Sequence, residues 1–199
     1  FVMKKLMSLL IPLLVLGCSH SAPVMFVEGT CPHTFDGMNI YMVPRPHPTE
    51  ETVIKAVVKD GRFAFKVPAD SGQMYHISIS KENRNYYHQL LVALEPGNLK
   101  VHIDTISYSG GTPLNDALNR WKENMAAIGD LLSVTESEEI RDSLDKVAHD
   151  CTRDFILANP NFMGGFILSS QKNAFDSAEF TLFKDTGVTR YMVDFRRKR

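Results

Sequence analysis

Cysteine is scarce in this 199-residue chain, with three residues at positions 18, 31 and 151. That excludes a disulfide framework and a four-cysteine zinc site, and no CxxC pair is present to cycle between dithiol and disulfide. No apolar run approaches the ~20 residues that a membrane-spanning helix needs. Neither sign of charge prevails: 22 Lys and Arg stand against 23 Asp and Glu, a net charge of −1. The strongly basic balance of a nucleic-acid binder is therefore missing. GxSxG, P-loop, GxGxxG and HExxH patterns are absent as well, so no catalytic, cofactor-binding or metal-binding residue is assigned from motifs. What is present is 44% hydrophobic sequence, enough for one core, or a domain with an appendage.

The N-terminus carries the most specific signal. Lys4 and Lys5 precede an apolar run from Leu6 to Leu16, and Gly17-Cys18 follows it. Basic, apolar and small-residue regions in that order describe a secretory signal. Val15-Leu16-Gly17-Cys18 resembles a bacterial lipobox, in which the small residue fits the signal peptidase and the cysteine thiol accepts a diacylglyceryl group. The expectation is a lipoprotein signal peptide over 1–17, lipidation at Cys18 and a lipidated linker over 18–23. The chain would then sit in the cell envelope, anchored to a membrane on its periplasmic or outer-membrane side. Several acyl chains on one cysteine, each methylene contributing about 0.8 kcal/mol, make such attachment stable. An ordinary signal peptide cut near Ser21-Ala22 is the alternative, and it would discard Cys18.

From residue 24 to 104 apolar residues recur with period two, and turn signals interrupt them at short intervals, the pattern of an antiparallel sandwich. About seven strands are predicted, over 24–31, 38–43, 52–58, 62–67, 74–80, 86–94 and 99–104. Phe63, Phe65 and Val67 share one face, as do Tyr75, Ile77 and Ile79, and Leu99, Val101 and Ile103. Asp60-Gly61 supplies the positive φ angles of a tight hairpin. At Ser109-Gly110-Gly111-Thr112 the period changes to 3.6. Thr112 and Pro113 open a helix whose stripe is Leu114, Leu118, Trp121, Met125, Ile128 and Leu132. Thr135 with Glu138 predicts a capping box for a second helix, with Ile140, Leu144, Val147, Cys151 and Phe155 as its packing stripe. Asn159-Pro160 stops that helix, a third runs from Phe162 to Gln171, and a fourth opens at Asp176 with Glu179. Gly164-Gly165 marks a close packing point. The fold class is α+β, with a β-sandwich domain over 24–106, a helical region over 112–195 and a solvated basic tail over 196–199.

Cys31-Pro32-His33 invites comparison with a CPHC redox motif, but Thr34 stands where the resolving cysteine belongs. A catalytic cysteine of that type also needs a strand feeding directly into a helix, whereas Asp36-Gly37 turns this segment into another strand. Cys151 reads as a small buried hydrophobe on a helix stripe, and a Cys31–Cys151 disulfide is chemically permitted in an oxidising compartment. His76 and His102 both fall on polar faces of strands and would be near neighbours if those strands paired. Tyr75, Tyr86, Tyr87 and Phe63 present either a stacking platform for a peptide or glycan, or ordinary core filling.

Four runs in a fixed order carry a resemblance: "TFDGMNIYMV", "VVKDGRFAFKV", "LVALEPGNLKVHID" and "GGTPLNDALNRW". Together they resemble the small β domain of unknown function that precedes thioredoxin-like domains in envelope lipoproteins of Bacteroides-type bacteria, over roughly residues 24–122, with "ILANPNFMGGFIL" similar to a following helix. The resemblance implies a β domain feeding into helices. The redox chemistry of the associated thioredoxin-like domains rests on a CxxC pair, so it transfers to no residue here. Two functional readings stand. The first is a non-enzymatic envelope lipoprotein, a binding or positioning module with a membrane and an envelope protein, peptide or glycan as partners. The second is a truncated or accessory component of envelope thiol:disulfide exchange.

Overall fold

The structure, a computed structural model, describes residues 22–80 and 86–195. Its strands are β1 (Val24–Thr30), β2 (Asn39–Arg45), β3 (Ile54–Val57), β4 (Arg62–Pro68), β5 (Met74–Ser80), β6 (Tyr86–Ala93), β7 (Gly97–His102) and β8 (Tyr108–Gly110). They form two four-stranded sheets, ordered β4-β1-β7-β8 and β3-β2-β5-β6. Four helices follow: α1 (Pro113–Val134), α2 (Glu138–Ala158), α3 (Phe162–Gln171) and α4 (Ser177–Thr186). The α+β class expected from the two periodicities is what the chain adopts.

Two features of the sandwich depart from expectation. Six of the named ladders include one that is not antiparallel: β1 runs parallel to β7, from Met25 opposite Gly97 to Thr30 opposite His102. Alternation of apolar residues fixes which face of a strand turns inward, and says nothing of the direction of its neighbour. The sheet also extends beyond residue 106, because β8 adds three residues to the edge of β7. A segment that short has too few residues to display a period.

Between the sheets lies the first core, built from Met25 and Val27, Phe63, Phe65 and Val67, Ile77 and Ile79, and Leu99, Val101 and Ile103. The alternating sets read from the sequence are thus the inward faces. At the β3–β4 turn, Asp60 and Gly61 have φ of 52° and 67°, the left-handed pair that a two-residue hairpin requires.

A second core lies on the outer face of the β3-β2-β5-β6 sheet. Leu118, Ile156, Met163, Leu168 and Phe183 are buried there with two strand residues, Met74 and Ala93. Each fully buried side chain of this size contributes roughly 1.5–3 kcal/mol, so sheet and helices hold each other. The helical region is therefore packed on the outer face of that sheet, and α1 also meets the edge strand β8 of the other.

The starts of α1, α3 and α4 fall where the sequence places them, and Asp176 with Glu179 forms the expected capping box. The start of α2 is different. Its N-cap is Ser137, whose hydroxyl accepts the N–H of Ile140, while the Thr135 hydroxyl donates back to the Leu131 carbonyl at 2.7 Å. The α2 stripe is also only partly used: Ile140 and Val147 are exposed, as are Leu131 and Val134 of α1. A helix of 22 residues is about 33 Å long, and only its first turns meet the sheet. Gly165 is the close packing point expected, since a Cβ there would come within 2.5 Å of Tyr191.

Candidate functional site

The junction between sandwich and helices is built from the residues of "LVALEPGNLKVHID" and "GGTPLNDALNRW". Asn115, in the first turn of α1, is completely buried. Its side-chain oxygen accepts the N–H of Ala93 at 2.9 Å, and its Nδ2 donates to the Ala93 carbonyl at 2.8 Å and to Thr112 Oγ1 at 2.9 Å. One amide thus serves both backbone groups at the end of β6. Glu95 completes the arrangement from the β6–β7 turn, accepting the N–H groups of Leu114 at 2.7 Å and Asn115 at 3.1 Å. These are orphan donors at a helix N-terminus, where a carboxylate is also favoured by the helix dipole. The Thr112 side chain, expected to cap, makes no capping bond to the helix backbone. The cap comes from a residue nineteen positions earlier.

The neighbouring residues of the same helix line an open groove. Asp116, Asn119 and Arg120 of α1 face Lys100 of β7 and Tyr108, Ser109 and Gly110 of β8 across a volume of about 370 Å³. Asn119 Oδ1 accepts the N–H of Ser109 at 3.3 Å, which covers the free edge of β8, and Asp116 accepts the N–H of Gly111 at 2.8 Å. Tyr108 is half exposed, its ring centroid 5.1 Å from that of His102. An aromatic face flanked by Lys100 and Arg120 suits a ligand with both apolar and polar or anionic groups. Sequence reading missed Tyr108, because it stands in a strand too short to show alternation.

The cysteines are far from any such arrangement. Cys31 is buried at the end of β1, with its N–H donated to the Gly61 carbonyl at 2.9 Å. His33 and Asp36, in the short turn that follows, are tied to each other at 3.1 Å, and Asp36 also accepts the Gly61 N–H at 2.7 Å. Burial, with Asp36 and Asp104 nearby, pushes the Cys31 thiol up from its ordinary value, away from the thiolate that redox chemistry needs. Cys151 is half-buried on α2, and both cysteines are free thiols, so the permitted Cys31–Cys151 bridge is not formed. Cys18, expected to be lipidated, lies outside the described residues, as does the basic tail 196–199. Among the described residues no helix is long and apolar enough to cross a membrane.

His76 and His102 do not meet. His76 is in β5 of one sheet and His102 in β7 of the other, each on its sheet's outer face. His102 is held by Thr30 Oγ1 at 2.9 Å. Among the described residues no group of three or more His, Cys, Asp or Glu side chains is gathered where a metal ion could be held. Of the two readings of the aromatic cluster, core filling holds for Tyr75 and Phe63, which are buried inside the sandwich. Alternation had placed them on the inward face, and that face is filled. The side chains of Tyr86 and Tyr87 lie outside those described.

A two-sheet sandwich with helices clamped to it through the β6–β7 turn is the class of protein that this geometry defines. Residues 25–118, spanning the sandwich and the first turns of α1, match the family described as a domain of unknown function, DUF4369. The match ends within the clamp-bearing helix, so Glu95, Thr112 and Asn115 are all inside it. No curated protein matches the chain.

Proposed function

We propose that the protein is a lipid-anchored module of the cell envelope, attached through Cys18, that binds and positions a peptide or glycan partner rather than transforming it. The groove between β8 and α1 carries this reading. The first turns of α1 are locked to the sandwich by Asn115 and Glu95, which holds Asp116, Asn119 and Arg120 in place beside Tyr108 and Lys100. Rigid polar side chains around an exposed aromatic ring are the ordinary means of holding a ligand without chemistry. The thiol-exchange reading is disfavoured by the burial and raised pKa of Cys31.

The test has two arms. Cys18→Ser is expected to release the protein from the membrane fraction after a high-salt wash, and retention would overturn the anchor. Titration with soluble peptidoglycan fragments, which carry both glycan and peptide, is expected to shift the NMR signals of Tyr108, Asn119 and Arg120. Shifts elsewhere, or none, would remove the groove from the proposal. Turnover in an insulin-reduction assay that Cys31→Ser abolishes would replace it with thiol exchange.

A further inference from the structure

A second surface of the molecule has an imbalance of charge that the groove does not use. On the outer face of the β3-β2-β5-β6 sheet, His76 of β5 lies directly between Val43 of β2 and Leu91 of β6. Arg45, two residues along from Val43, shares that face and is the diagonal neighbour of His76, at a typical Cα separation of ~7–8 Å. Lys122 of α1 reaches the same place from above, donating to the Leu91 carbonyl at 3.3 Å. Three basic side chains from β2, β5 and α1 thus converge beside the second core.

Their donors are not used up. Arg45 Nε is buried and has no hydrogen-bond partner among the described residues. Lys122 uses one of its three N–H groups on Leu91. None of the three residues takes part in an ion pair among the described residues. Glu123, the acid that acts on Lys122, is itself bound by Asn119 Nδ2 at 2.7 Å. Withdrawing cations from water without a counter-charge is costly, and an unpaired buried N–H adds to that cost. Burial, then Arg45 and Lys122, lower His76 to about 4, and burial lowers Lys122 to about 8. At neutral pH the corner therefore holds a neutral imidazole and two cations.

We propose that this corner is a binding site for a phosphate group, held by Arg45, His76 and Lys122. Three N–H donors arriving from three elements suit the three terminal oxygens of a phosphate, and Arg is well shaped for that contact. Charge makes the same choice. A phosphate monoester carries about −1.5 to −2 at neutral pH and offsets both cations, where a carboxylate offsets one. All three side chains are half-buried, which leaves them reachable by a small anion from solvent. The phosphate has two chemical sources, a soluble phosphorylated molecule or a lipid headgroup. The site is separate from the β8–α1 groove and stands or falls independently of the function proposed for it.

The experiment follows the His76 imidazole by NMR in the full chain, titrated with pH in buffer without phosphate and again with inorganic phosphate at tens of millimolar. A bound anion favours the imidazolium, so the pKa of His76 is expected to rise by at least one unit, a tenfold gain in proton affinity. Arg45→Gln and Lys122→Gln should each weaken phosphate binding about tenfold while the remaining backbone signals keep their positions. If one variant fails to fold, the other carries the test. Phosphatidic acid vesicles, whose headgroup is a phosphate monoester, compared with phosphatidylcholine vesicles and with glycerol phosphate, separate the sources: a His76 response to glycerol phosphate but not to phosphatidic acid vesicles assigns a soluble ligand, and a response to phosphatidic acid vesicles assigns a headgroup. A His76 titration that inorganic phosphate, glycerol phosphate and vesicles all leave unmoved overturns the proposal.

Discussion

Glu95 and Asn115 meet twice: Glu95 Oε1 accepts the backbone N–H of Asn115 at 3.1 Å and its side-chain Nδ2 at 3.3 Å. The contact joins the β6–β7 turn to the first turn of α1, and through Ala93 it fixes the end of β6 to the same helix. Asn115 is completely buried, so each of its polar atoms, and each atom it serves, has no water to fall back on. The clamp is what allows a helix with a low share of its length against the sheet to keep a fixed position there.

Asn115→Ala should therefore destabilise the protein by about 2–4 kcal/mol, since it strands both backbone groups of Ala93 without partners. Glu95→Gln keeps an accepting oxygen and loses only the charge assistance, a cost of about 1 kcal/mol. Urea unfolding followed by far-ultraviolet circular dichroism measures both. Equal small effects would mean that the clamp does not hold α1.

Stability should fall on the acid side because of His76. Its folded pKa of about 4 lies below the ordinary value of 6.5, so the unfolded chain binds the proton first. The stability tied to His76 is complete above pH 6.5, declines as pH drops toward about 4, and changes no further below that. A shift of this size corresponds to at most about 3 kcal/mol. In phosphate-free buffer, the difference in unfolding free energy between pH 7 and pH 4.5 should shrink in His76→Gln. An undiminished difference would assign the acid sensitivity to the carboxylates.

Ser109 is almost fully buried and its hydroxyl has no partner among the described residues. It pairs with Val101, so its side chain points to the apolar interior of the sandwich. Ser109→Ala should leave stability unchanged or raise it by up to about 1 kcal/mol, an unusual sign for a core substitution. A thermal melt that drops by several degrees would reveal a partner for that hydroxyl.

At Gly61, both the backbone and the space forbid a side chain. Its φ is 67°, and a Cβ would stand 2.8 Å from the Cys31 carbonyl oxygen. Gly61→Val is expected to cost more than the roughly 1 kcal/mol of a turn glycine alone, because the segment after β1 must also shift. Gly37, with φ of 78° and open space around it, is the comparison: Gly37→Ala meets only the backbone strain. Chemical denaturation of the pair separates the two contributions.

The elements were legible where their cause is local. Alternation at Phe63, Phe65 and Val67 and the spacing from Leu114 to Ile128 each depend on a few neighbouring residues, and so do the Asp60-Gly61 turn and the Asp176–Glu179 box. The lipobox reading of Cys18 rests on the order of adjacent residues alone and lies outside the described residues. Other readings stayed open where the cause was distant. Between the two readings of Tyr75 and Phe63 the opposite sheet decided for core filling, and His76 and His102 parted because strand order put them in different sheets.

Sequence by itself determined the longer strands and helices and which of their faces turn inward, since backbone geometry imposes those periods residue by residue. Tertiary structure alone decided three things: that β1 would lie parallel to β7, that Glu95 would cap a helix nineteen residues away, and that Arg45, His76 and Lys122 would share one corner. In each case the partners are brought together by the burial of apolar faces elsewhere in the chain, a non-directional force that leaves no mark in the spacing of the residues it unites.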